Sequence, residues 1–149
     1  SSWPTHVFLQ AGVGGLAASI AFEIRKKWKH QPRIIVVEPQ AAPCLFESHK
    51  LGRLTKVSGP ASSMGRLDCK EPSLIAFDIL NDLADDFVCV SDYEAATAVD
   101  YLAQNELATT PSGAAGIAAI LINSRLDSKE KFAIPDGSIC LAIVSEGSL

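Results

Sequence analysis

The sequence predicts an α/β fold, a mainly parallel open sheet with helices on both faces. Three observations point there. Short apolar runs at residues 6–10, 33–38, 87–90 and 138–144 alternate with stretches of helical spacing. The run Arg33-Ile-Ile-Val-Val-Glu38 is apolar without alternation, as suits a parallel strand covered on both faces. The first run ends in a glycine-rich turn that opens at once into a helix former, the connection expected at the ligand-binding edge of such a sheet.

His6 to Gln10 is the first strand. Gly15 to about Trp28 is helical, with Leu16, Ile20, Ile24 and Trp28 repeating on one face, and Pro32 ends it. Pro39 closes the second strand. Ala42 to about Lys50 is a short helix closed by Gly52. Residues 55–70 carry Thr, Ser, Pro and Gly without period, a long loop of the kind that often serves function. Pro72 then suits a helix start, with Leu74, Ile75, Ile79, Leu80 and Leu83 at helical spacing. Phe87 to Val90 is the third strand. Ser91 or Asp92 caps the next helix, Glu94 reinforces its first turn, and it runs to about Gln104. Thr109 to Gly113 is a turn before a small-residue helix, Ala114 to Ile122. Ser138 to Val144 is the last strand, ending in Ser145-Glu146-Gly147. Right-handed crossovers put the glycine turn, the Glu38 end and Ser145-Glu146 on one edge of the sheet.

A chain of 149 residues, 48% hydrophobic and 20% charged, suits one globular domain with a substantial core. Net charge of −4 provides no field to hold nucleic acid and disfavours acidic membranes. The one basic cluster, Arg25-Lys-Lys-Trp-Lys29, falls at a helix end, where cations complement the dipole. Asp82, Asp85 and Asp86 read as a solvated helix end rather than a metal site. His6 reads as structural, and His30 and His49 as solvent-facing. The four cysteines show no CxxC spacing; Cys89 and Cys140 lie in apolar runs and read as core thiols. No stretch is long enough to span a bilayer and no signal peptide is present, which suggests a cytoplasmic protein. Met64 is the only methionine, and the strand begins almost at once, so upstream sequence is expected to be missing.

The segment Thr5 to Ser19 carries the most chemistry. Glycines there lack Cβ atoms, so backbone N–H groups can close around an anion. The helix that follows aims its unpaired N–H groups and positive dipole end at the same point. This is a phosphate cradle in form, and three readings stay open locally: a dinucleotide, another phosphate, or a tight turn with no ligand. Gly12-x-Gly14-x-x-Ala17 with Glu38 at the next strand end matches a dinucleotide site, Glu38 gripping a ribose hydroxyl of NAD or FAD. A simpler phosphate ester fits the turn equally well.

The rest of the chain favours the second reading. Gln10-Ala-Gly-Val-Gly-Gly-Leu-Ala17, Ile35-Val-Val-Glu-Pro39 and Thr110-Pro-Ser-Gly-Ala-Ala-Gly116 resemble the phosphate loop, following strand and late serine turn of fold type II pyridoxal-phosphate enzymes, the tryptophan synthase β-subunit type. More narrowly, Pro4 to Gly15, Val37-Glu-Pro39 with Ala42-Pro-Cys44, Gly65 to Pro72, Ser112 to Gly116 and Val144-Ser-Glu-Gly147 resemble, in order, the diaminopropionate ammonia-lyases. The resemblance implies that residues 1–149 are one partial domain, the C-terminal portion of the large cofactor-binding domain. It implies pyridoxal 5′-phosphate as cofactor, its phosphate on the amides of Gly12, Val13, Gly14, Gly15 and Leu16, and its pyridine nitrogen on the Ser112 hydroxyl. Ser112 also reads as a helix N-cap.

The implied reaction is α,β-elimination of 2,3-diaminopropionate to pyruvate and ammonia. The Schiff-base lysine of such enzymes lies upstream of the phosphate loop and has no counterpart here, so no catalytic residue is assigned. The chain alone is expected to bind the cofactor weakly and not to catalyse. The small-molecule amino-acid substrate, the missing N-terminal half and, for the whole enzyme, a second copy in a homodimer are the implied partners. Arg66 and Lys70 stand where the resemblance puts glycine; they either narrow the site or are tolerated by the loop, and the second is expected. Cys44 and Cys69 fall where members can carry cysteine, so a disulfide is conceivable, though not a permanent one in a reducing cytoplasm.

Overall fold

The computed structural model describes residues 2–148. In chain order the elements are β1 (His6–Gln10), α1 (Gly15–Lys27), β2 (Arg33–Pro39), α2 (Cys44–Leu51), α3 (Leu74–Leu83), β3 (Asp86–Val90), α4 (Asp92–Gln104), α5 (Pro111–Asn123) and β4 (Cys140–Ala142). The strands form one sheet in the order β3-β2-β1-β4, with every pairing parallel. Phe8 lies opposite Ile35, and Val36 opposite Phe87. No helix among the described residues is long and apolar enough to cross a membrane.

Strand side chains alternate between faces, so a central strand must be apolar at every position when both faces are covered. Val7, Leu9, Ile34 and Val36 enter one core with α1, α2 and α3. Phe8, Ile35 and Val37 enter the other with α4 and α5. The second core holds Met64 and Leu67 from the long 52–73 loop, which packs that loop against the sheet. Helix α5 approaches closely because it is made of small residues; a Cβ on Gly116 would stand 3.2 Å from Ala142 and 3.5 Å from the Phe8 carbonyl oxygen.

Several expectations are corrected. Leu16 is exposed, whereas Ile24 of the same stripe is buried and Ile20 and Trp28 pack against the core, beside Ala17, Ala18 and Ala21, since alanines let a helix lie close to its neighbours. Helix α3 begins at Leu74 behind Ser73, whose hydroxyl accepts the Ala76 N–H; Pro72 precedes the cap, and Leu74 and Ile75 face outward. Asp86 is buried at the start of β3 and paired with Arg33, so it is no part of a solvated helix end. Cys89 and Cys140 are half-buried. His49 is exposed, as expected, but stacks on Phe87 at 4.5 Å. The last strand is only Cys140–Ala142. It is short because residues 143–146 are drawn off the sheet: the Gln10 side-chain amide donates to the Ile143 carbonyl (2.7 Å) and Thr109 Oγ1 to the Glu146 carbonyl (2.6 Å).

The helix following β3 shows how local chemistry sets an element. Ser91 Oγ accepts the Glu94 N–H, and the Glu94 carboxylate accepts the Ser91 N–H, a complete capping box.

Candidate functional site

Three segments meet at the carboxyl ends of β1 and β4. They are the turn Gln10 to Leu16, residues Arg66, Leu67 and Cys69 of the long loop, and Ser145. Together they line an open cleft of about 300 Å3. Each glycine of the turn has a separate reason. A Cβ on Gly12 would stand 2.9 Å from the Arg66 carbonyl oxygen and 3.0 Å from Cys69 Sγ, so the long loop can close on the turn only over a bare Cα. Gly14 has φ +101°, and a Cβ there would also press on Ala76, Leu45 and Leu80. Gly15 meets nothing within 4 Å and faces the open cleft.

Gly14 is the N-cap of α1, and neither a side-chain cap nor an acidic first-turn residue is present. Among the described residues no acceptor meets the amides of Gly15, Leu16 or Ala17. The first intrahelical bond is Ala18 N–H to the Gly14 carbonyl at 2.8 Å. Unpaired donors at a helix start that opens into a cleft are the geometry of an anion site. Val13 and Leu16 place exposed apolar side chains at its mouth.

Glu38 does something other than grip a ribose. Its side chain is fully buried, and its carboxylate accepts the N–H groups of Leu45 (2.8 Å) and Phe46 (2.7 Å) at the start of α2. The single S–H of Cys44 has two acceptors in reach, the same carboxylate (3.5 Å) and the Gly12 carbonyl (3.8 Å), linking Glu38 to the back of the glycine turn. Burial pushes the Glu38 carboxyl up to about 7, opposed by the two amides and the thiol. Burial, with Glu38 nearby, also pushes the Cys44 thiol up, and burial raises Cys69; both are free thiols. With its carboxylate consumed by α2, Glu38 is unavailable to a dinucleotide, and the NAD or FAD reading loses its acidic residue.

Ser112 is not an N-cap. Thr110 caps α5 by accepting the Gly113 N–H, and Pro111 opens the helix, which starts before the expected Ala114. Ser112 is buried in the first turn, where its hydroxyl accepts the Arg66 N–H at 3.1 Å. It stands behind Arg66 and is not among the residues lining the cleft. The hydroxyl that lines the cleft is that of Ser145, which accepts the Gln10 side-chain amide at 3.0 Å. Its position after the last apolar run, on the same edge as the glycine turn, was the available sequence signal. Which of the two serines borders the cleft depends on the packing of residues 143–146.

The two cations of the long loop have different fates. Lys70 is fully engaged, donating to the carbonyls of Ala41 and Pro60 (2.8 Å each) and to Asp68 (2.7 Å). That ammonium holds the Asp68 carboxyl below its usual range, with help from the Ser62 N–H. The loop thus uses Lys70 as a staple rather than merely tolerating it. Lys70→Met is expected to lower stability by about 1–3 kcal/mol, seen as a lower urea midpoint at unchanged slope. An unchanged midpoint would show that the loop does not depend on the ammonium. Arg66 instead lines the cleft, with an ion pair to Glu146 at 3.4 Å.

The sequence model of the family described as pyridoxal-phosphate dependent enzyme matches residues 2–146. The diaminopropionate ammonia-lyase of Escherichia coli K12 is 33% identical over 156 aligned residues, covering 97% of this chain and 39% of its own length. The L-threonine ammonia-lyase of Geobacter sulfurreducens is 35% identical over 117 residues, 78% of this chain and 29% of its own. Among solved structures, the E. coli diaminopropionate ammonia-lyase in complex with D-serine superposes with a TM-score of 0.82 at 28% identity, covering 98% of this chain and 39% of that one. The chain spans about two fifths or less of the length of these relatives. A glycine cradle at a helix start and a family match along nearly the whole sequence agree: the chain belongs to the pyridoxal-phosphate dependent enzyme family.

Proposed function

We propose that this chain carries the phosphate-gripping portion of a pyridoxal-phosphate-dependent ammonia-lyase that acts on 2,3-diaminopropionate. In this reading it is the C-terminal part of the large domain of a longer, cytoplasmic and dimeric enzyme. The observation that carries the proposal is the uncapped start of α1 opening into a cleft walled by side-chain-free glycines. The phosphate end of the cofactor fits that cradle: the amides of Gly15 and Leu16 would donate to its oxygens, with Gly12, Val13 and Gly14 shaping the turn. Of the two serines, Ser145 would meet the pyridine nitrogen, a reading supported by its place on the cleft wall and its hydrogen bond from Gln10. Ser112 would act from behind, by fixing the Arg66 backbone.

Pyridoxal phosphate, when bound, supplies an electron-withdrawing ring that stabilises negative charge at the substrate Cα. A hydroxyl at the ring nitrogen does not enforce its protonation as a carboxylate would. Ser145 in that place would leave the ring a weaker electron sink, a chemistry that would suit loss of a β-substituent such as the β-amino group. Among the described residues no lysine lines the cleft, so the cleft wall itself offers no amine to anchor the cofactor covalently.

Titration of the chain with pyridoxal phosphate and with NAD tests the reading. Saturable binding of pyridoxal phosphate, competed by inorganic phosphate, is expected; tighter binding of NAD would contradict it. Ser145→Ala is expected to weaken pyridoxal phosphate several-fold while leaving inorganic phosphate unchanged, because only the former has a ring to hold. Ser112→Ala is expected to weaken both alike. The reverse pattern would return the ring contact to Ser112. Sustained pyruvate production from 2,3-diaminopropionate by the isolated chain with cofactor would refute its expected incompetence.

A further inference from the structure

Arg66 is the one cation among the residues that line the glycine cleft. Its backbone is fixed to the wall: the N–H donates to Ser112 Oγ at 3.1 Å, and the carbonyl packs over Gly12. Its side chain is not fixed. It is 81% exposed, and it touches Glu146 through Nε at 3.4 Å. No hydrogen bond among the described residues engages its two terminal nitrogens. An exposed ion pair of this kind contributes little and yields readily to a competing anion.

The cradle needs such a charge. A phosphate monoester carries about −1.5 to −2 near neutral pH, whereas a helix start offers the equivalent of about +0.5. The acids nearby are already engaged and do not block it. Glu38 is buried behind the turn, and Asp68 is paired with Lys70. Glu146 is held independently by the Thr110 hydroxyl, so it keeps a partner when the guanidinium leaves. A guanidinium fork matches phosphate oxygens in geometry as well as charge.

We propose that Arg66 is a phosphate-binding residue of this cleft, whose guanidinium exchanges Glu146 for the phosphate of the ligand seated on the amides of Gly15 and Leu16. The proposal rests on the cofactor reading above and adds a side-chain contact to a cradle otherwise made of backbone.

The test is an amide-resolved NMR titration of the 149-residue chain with inorganic phosphate and then pyridoxal phosphate, following Gly15 and Leu16. Arg66→Ala is expected to weaken both ligands about tenfold, the loss of one charge-assisted contact. Arg66→Lys is expected to recover part of that loss, because charge is kept and the fork is not. Glu146→Gln is expected to leave binding unchanged or tighten it, because it removes the competitor. If Arg66→Ala binds phosphate as the parent does, the proposal is overturned while the cofactor reading stands. Should Glu146→Gln weaken binding as much as Arg66→Ala, the pair is a structural latch and Arg66 is no ligand. A parent chain whose Gly15 and Leu16 signals ignore both ligands would overturn the cofactor reading and this proposal together.

Discussion

Gly14→Ala is expected to destabilise the chain by about 2–5 kcal/mol, whereas Gly15→Ala one residue later leaves it folded and impairs only ligand binding. The first figure combines about 1–2 kcal/mol for a Cβ in the left-handed region with about 1–3 kcal/mol for overpacking. At Gly14, φ is +101°, and the new Cβ would lie 3.0 Å from Ala76 Cβ and 3.1 Å from Leu45 Cδ1, both in the core. At Gly15 nothing lies within 4 Å, and the residue is already the first of a helix. Alanine there gains up to about 1 kcal/mol of helix propensity. Its methyl would occupy the open side of the cradle and weaken phosphate binding by roughly tenfold, about 1.4 kcal/mol. Thermal unfolding of both variants, with a phosphate titration of Gly15→Ala, checks the pair. A Gly15→Ala chain that binds phosphate as well as the parent would show that the anion sits elsewhere.

Removing the Glu38 carboxylate is expected to have an effect of similar size. Glu38→Ala leaves the Leu45 and Phe46 amides without their acceptor and opens a cavity at the back of the glycine turn. The expected loss is about 2–5 kcal/mol. The pH dependence is more diagnostic. Burial raises the folded carboxyl from 4.5 to about 7. Between those values the unfolded chain has released the proton and the folded chain retains it, so the unfolded state binds fewer protons. Stability therefore falls as pH rises through this window, by on the order of 3 kcal/mol, and levels off above it. Glu38→Gln cannot titrate and is expected to lack this slope. Parallel stability curves for parent and Glu38→Gln between pH 4.5 and 7 would show that Glu38 does not carry it.

Much of this architecture was legible because its causes are local. The apolar runs of β1 and β2 need no partner to be recognised, and the Ser91–Glu94 capping box lies within four consecutive residues. The glycine turn was legible for the same reason, since strand, turn and helix start are contiguous. What was not legible depends on segments distant in sequence. Ser112 and Ser145 look alike on paper, and only the pull of Gln10 and Thr109 on residues 143–146 brings Ser145 to the cleft. Glu38 ends a strand like many exposed acids, and its burial requires α2 to present two amides to it. Leu16 misled because it borders the cleft, while Ile20, Ile24 and Trp28 of its stripe pack on the core beside the alanines of α1. Asp86 misled because its partner, Arg33, begins the neighbouring strand β2, more than fifty residues earlier in the sequence.

The central claim is that the bare start of α1 holds the phosphate of pyridoxal phosphate while the ring reaches the hydroxyl of Ser145. A crystal structure of the chain with pyridoxal phosphate tests it most directly. Phosphate oxygens on the Gly15 and Leu16 amides, with the pyridine nitrogen at hydrogen-bonding distance from Ser145, are the expected result. Phosphate bound away from these amides, or a ring pointing away from Ser145, would contradict the account.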